Sequence, residues 1–197
     1  MPLAPVVPAS LCEVPGPLAR VLSGYKAAPV TEARHRFAAA VSDILVTFLA
    51  RHQVCLEHLA GGPLELAVAV PPTLRPGEAP LHQVPGLGVR RGVLVRGPAP
   101  LGHLRASVRG FQVAGAMLEA VAGRRVLVVD DIYTTGARAQ SAAAALRLAG
   151  AASVVVVVCG RAVRRGASPW RRAYWLDADA SRWDAERCCL VPCRAAR

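Results

Sequence analysis

The chain has 197 residues, 53% of them hydrophobic, and a formal net charge of +11. That suffices to bury one full core, while Arg, Pro or Gly breaks every apolar run before the ~18 residues a bilayer crossing needs. Met1 to Ser10 lacks a basic region followed by an apolar core, so no secretory signal is expected and the cytoplasm is the expected compartment. Nearly all the positive charge is arginine. Lys26 is the only lysine and there is no asparagine, a bias that GC-rich coding produces without any nucleic-acid partner. Between Arg90 and Arg125 lie seven arginines and one acid, Glu119, whereas the first ninety residues are close to balanced. The cysteines form no CxxC pair and no zinc-finger spacing, so most of them read as reduced. Cys188, Cys189 and Cys193 fit a buried terminal strand, with a partial metal site or redox pair as the alternative.

In chain order, Pro17 to Tyr25 is a short helix ending near Gly24. Val30 to Arg51 is a long one, with Phe37, Val41, Ile44, Leu45 and Phe48 at helical spacing and Thr31 as its N-cap. Leu64 to Val70, between Gly61-Gly62-Pro63 and Pro71-Pro72, reads as a buried strand entering a turn. Pro71 to Pro100 is loop-like, with a short strand at Gly92 to Arg96. Arg109 to Val121 is predicted helical, Arg125 to Asp130 a strand, Gly136 to Ala149 an alanine-rich helix and Ala152 to Cys159 a strand of consecutive valines. Strand, helix and strand within ~35 residues make a βαβ unit with a parallel sheet, which places the chain in the α/β class. A last strand is expected around Tyr174 to Leu176. The whole chain, 1–197, reads as one domain, with a core over 15–165 and a basic extension over 166–197.

The chemistry sits in Val126-Leu-Val-Val-Asp-Asp-Ile-Tyr-Thr-Thr-Gly-Ala-Arg138. Two carboxylates stand at the carboxyl end of a parallel strand, the edge where open α/β sheets bind ligands. Thr134, Thr135, Gly136 and Ala137 then offer successive backbone N–H groups and hydroxyls at the positive end of a helix, a setting for a phosphate monoester. Asp130 and Asp131, acceptors when ionised, suit the vicinal hydroxyls of a ribose or a hydrated magnesium ion.

This run resembles the phosphoribosyl-pyrophosphate signature of type I phosphoribosyltransferases, and the chain is similar to their ComF-like, competence-associated branch over residues 15 to 165. Ala67-Val-Ala-Val-Pro-Pro-Thr-Leu-Arg75 sits where that family has its strand and pyrophosphate loop. Leu101 to Ala116 sits where it has an arginine-bearing mobile hood. The N-terminal zinc module usual in that branch is absent, and Gln112 replaces its asparagine.

The resemblance implies a parallel-sheet phosphoribosyltransferase fold with a mobile hood. It implies binding of 5-phosphoribosyl pyrophosphate (PRPP) through Asp130, Asp131, Thr134, Thr135, Gly136, Ala137, Arg138, Thr73 and Arg75. Magnesium would be held by Asp130 and Asp131, directly or through water. Pyrophosphate would be displaced from the anomeric carbon by a nitrogen acceptor, a base or an amine, with Arg105 and Arg109 offsetting charge beside Asp130 and Asp131. His82 and His103, in loops, read as solvated rather than as bases, and Lys26 and Glu119 as surface groups.

Two alternatives stay open. One is a PRPP sensor without chemistry. The other is a ComF-like protein associated with DNA uptake, although no helix-turn-helix, zinc finger or aromatic stacking platform supports nucleic-acid binding. The acceptor is unspecified at this stage, and so is the oligomeric state, a homodimer included.

Overall fold

The computed structural model describes residues 2–72, 80–84 and 86–164, together with the isolated positions 169, 173, 176 and 184. A four-stranded sheet is built from β1 (Val6–Glu13), β2 (Leu66–Ala69), β5 (Arg125–Tyr133) and β6 (Ser153–Val163), in the order β1-β6-β5-β2. All three of its pairings are parallel. Helices α1 (Pro17–Ala27) and α2 (Thr31–Ala60) cover one face. The other is covered by α4 (Ala137–Leu148) and by an antiparallel pair, β3 (Leu94–Arg96) with β4 (Phe111–Val113). The α/β class is therefore the observed one.

The valine run explains the sheet centre. Val154, Val156 and Val158 point to the α4 side, while Val155 and Val157 point to α1 and α2, and all are buried. A strand covered on both faces carries no polar alternation, and each buried valine contributes about 1.5–3 kcal/mol. The alanines of α4 let it approach the sheet closely, so most of the helix is buried. Within α1, Gly24 lies against the ring of Phe37, where a Cβ would come within 2.4 Å of Cδ2.

Helix α2 runs past its expected end at Arg51 to Ala60, with a kink at His52. By length and composition it could cross a membrane, yet its stripe Val41, Leu45, Phe48 and Leu56 is buried in the core against the sheet. Thr31 does not cap it. The N-cap is Val30 with extended backbone and no side-chain bond, and the Thr31 hydroxyl instead accepts from Arg34 at 3.1 Å.

Two further elements differ from the sequence-based expectation. Strand β1 has no clear pattern in the sequence, because Pro5 and Pro8 obscure it. It pairs with β6, and the Gln140 amide bonds both backbone groups of Ala4 at 2.8 and 2.9 Å. The helix expected over Arg109 to Val121 is instead β4, a 3-10 turn and the four-residue α3 (Leu118–Val121). Phe111 and Val113 are buried with Gln112 exposed between them, a strand alternation that pairs with β3 and overrides the helical spacing. The expected strand around Tyr174 to Leu176 lies outside the described residues, apart from Leu176, whose backbone is helical.

Candidate functional site

Asp130 and Asp131 end the buried stretch of β5, 5% and 2% exposed. Successive strand side chains point to opposite faces, and these two acids have different surroundings. Val126 and Val128 belong to the α4-side core, so the alternation continues to Asp130. Asp131 turns to the helical face beside α1. There its Oδ2 accepts the Tyr25 hydroxyl at 2.5 Å and pairs with the Lys26 ammonium. Its Oδ1 accepts the Ile132 N–H at 2.7 Å. Lys26 is thus not a free surface group: α1 is pinned to the carboxyl edge of the sheet through the second acid.

Asp130 is poorly compensated. Burial first, and then the neighbouring Asp131 carboxylate, push its carboxyl up to about 7, against the opposing pull of Arg138 and Lys26. Its Oδ1 accepts the Asp131 N–H at 3.0 Å. On the other face, burial followed by the Asp131 charge raises the Tyr25 phenol. Burial, Asp131 and Cys12 together push the Cys159 thiol up to about 12.

The turn after β5 carries the chain through Thr134 to Gly136 into α4. Gly136 is left-handed, φ 81°, directly before α4. A Cβ there would meet the Tyr133 phenol at 2.0 Å, so glycine is required both by its backbone conformation and by an aromatic lid over the loop. The lid is braced by Arg161 on β6. Its guanidinium lies 4.7 Å from the Tyr133 ring centre, and Nη1 donates to the Thr134 carbonyl at 2.7 Å and the Tyr133 carbonyl at 3.3 Å. Thr134 and Thr135 are exposed, and the Thr135 hydroxyl accepts weakly from Ala137 N–H at 3.3 Å.

The segment expected to form a hood stands at this loop. Thr135 donates its hydroxyl to the His103 carbonyl, and Ser107 N–H donates to the Ser141 hydroxyl at 2.8 Å. Arg105 and Arg109 ride on that segment with exposed side chains. Gln112 points away from the core. His103 is exposed, whereas His82 is not solvated as expected: it is half-buried on a 3-10 turn and lines a recess at the carboxyl end of β2. Thr73 and Arg75, expected on the pyrophosphate loop, lie outside the described residues, as do Cys188, Cys189 and Cys193.

Tyr25 and Arg161 carry no signal in the sequence, and Lys26 reads there as a surface group rather than as the partner of Asp131. Tyr25 and Lys26 stand over a hundred positions from Asp131, and Arg161 is one arginine among many. No local spacing marks any of them.

The chain was compared with protein-family models, curated proteins and solved structures, and none matches it.

Proposed function

We propose that this protein is a phosphoribosyltransferase of the type I, ComF-like kind, acting in the cytoplasm on PRPP and a nitrogen acceptor. The observation that carries the reading is the junction of a buried, undercompensated Asp130 with the left-handed Gly136 turn at the start of α4. The donor's 5-phosphate would sit on the backbone N–H groups of Thr134 to Ala137, where the helix dipole favours an anion. Arg138 and the bracing Arg161 would add positive charge nearby. Asp130 would accept the ribose hydroxyls. Asp131, committed to Tyr25 and Lys26, would hold the strand end in place rather than touch the sugar.

Among the described residues no three His, Cys, Asp or Glu side chains gather around a metal-sized site. Magnesium brought by the diphosphate would be held through the Asp130 carboxylate. When bound, it would neutralise charge on the leaving pyrophosphate.

The acceptor nitrogen attacks the anomeric carbon. The bond from that carbon to the pyrophosphate oxygen breaks, and its electron pair leaves with pyrophosphate. Where the nitrogen carried a hydrogen, that proton passes to solvent. The products are the N-phosphoribosyl acceptor and pyrophosphate. The protein's contribution is orientation and charge neutralisation, with the segment bearing Arg105 and Arg109 excluding water from the donor.

The second reading is a PRPP sensor. It is favoured by the Thr135 hydroxyl being bonded to the His103 carbonyl, a contact that donor binding would exchange. Pyrophosphate release in the presence of PRPP, magnesium and a panel of bases and amines separates the two readings. Release with any acceptor supports the transferase; binding without release across the panel supports the sensor.

A further inference from the structure

Of the chain's 24 lysine and arginine residues, Lys26 alone is a lysine. Wherever a positive charge suffices, this chain uses arginine, so the one position that carries an ammonium is marked by the sequence itself. The fold sets it against the candidate site. Lys26 stands in the last turn of α1, and its Nζ reaches from a partly exposed side chain to Oδ2 of the nearly closed Asp131 carboxylate.

The geometry there suits an ammonium and not a guanidinium. Oδ2 already accepts the Tyr25 hydroxyl at 2.5 Å, and Oδ1 is turned to the Ile132 N–H at 2.7 Å. Arginine bonds a carboxylate best through two parallel N–H groups, one on each oxygen, and here one oxygen is engaged by the backbone. A compact point charge with rotatable donors needs only the remaining approach to Oδ2. Nζ lies 5.6 Å from the Tyr25 ring centre, so the tyrosine that bonds the acid also flanks its counter-ion.

The pair bears on the donor seat through charge and through backbone. Asp130 and Asp131 are adjacent and both buried. A second uncompensated carboxylate beside Asp130 would repel an anionic donor, and burial weakens the screening by salt. Lys26 cancels that charge. The Asp131 N–H also donates to Oδ1 of Asp130 at 3.0 Å, so holding Asp131 in place holds the group that orients its neighbour.

We infer that Lys26 is a positioning residue of the donor seat: its ammonium cancels and fixes Asp131, so that a diphosphate-bearing donor meets one acid, Asp130, and not two. This role rests on the PRPP reading of that seat and adds to it that α1 sets donor affinity.

The test is calorimetric titration of PRPP with magnesium into the full chain at one pH, with melting recorded for each protein. It compares wild type with Lys26→Met, Lys26→Arg and the double variant Lys26→Met with Asp131→Asn. Lys26→Met should bind at least about tenfold more weakly than wild type, the scale of one hydrogen bond to a charged group. Lys26→Arg keeps the charge without the fit and should stay at least about threefold weaker. The double variant removes the charge from both partners and should return to within about threefold of wild type, a recovery that a packing role would not give. If Lys26→Met fails to fold, the arginine and double variants carry the test, since neither buries an uncompensated charge. A smaller loss in Lys26→Met, or wild-type affinity in Lys26→Arg, overturns the inference. So does a double variant as weak as Lys26→Met, because the ammonium would then touch the donor itself. These results leave the PRPP reading standing, whereas a folded wild-type chain that binds no PRPP removes that reading and this role with it.

Discussion

Replacing Asp130 by asparagine removes a carboxylate that the fold ionises only at a cost. The group is raised from 3.8 to about 7 by burial and by the Asp131 charge, and each tenfold change in proton affinity is worth about 1.4 kcal/mol. Because the folded value lies above the unfolded one, the native state holds a proton between about pH 4 and 7 that the unfolded chain has released. Stability from this group is therefore complete below the unfolded value and is lost as pH rises through the folded one, up to about 4 kcal/mol in all. Asparagine is neutral throughout and keeps an oxygen for the Asp131 N–H. Asp130→Asn should match wild type near pH 4 and exceed it by as much as about 4 kcal/mol at pH 8, while losing PRPP binding. Urea unfolding of both proteins across pH 4 to 8 measures the difference. An asparagine variant no more stable than wild type at pH 8, with the same pH slope, would refute the reasoning.

The neighbouring substitution should go the other way. Asp131→Asn leaves Lys26 and Tyr25 beside a neutral amide and should lower stability by about 1–3 kcal/mol in the same unfolding experiment. Arg161→Ala removes the brace on Tyr133 and the Thr134 carbonyl. It should weaken PRPP binding by about tenfold in calorimetry, equivalent to 1.4 kcal/mol, while melting changes little. At Gly97 a Cβ would come within 2.1 Å of the Arg109 carbonyl oxygen, a backbone atom that cannot swing aside. Gly97→Ala should cost about 1–3 kcal/mol, and hydrogen exchange should show loosening first in β3 and β4.

The legible parts of this protein are those whose cause is local. The valines of β6 and the alanines of α4 state their own burial, and the Asp-Asp-to-Thr-Thr-Gly run encodes a strand end, a left-handed turn and a helix start within a dozen residues. What was hidden depends on distant partners. Strand β1 exists because Pro8 can sit at an edge and because β6 offers it a parallel neighbour. Phe111 and Val113 form a strand only because β3 lies beside them. The two adjacent acids look equivalent in sequence. Lys26 and Tyr25, arriving from α1, make one a structural anchor, while the other is buried beside the α4-side core with its carboxyl accepting the Asp131 N–H.

The central claim is that Asp130 and the Thr134 to Ala137 turn form a seat for PRPP. Calorimetric titration of PRPP with magnesium into the wild-type chain tests it most directly, with Asp130→Asn as the control. Saturable one-to-one binding that the variant abolishes while remaining folded is the predicted result. A folded wild-type chain that takes up no heat, or a variant that binds as well as wild type, would contradict it.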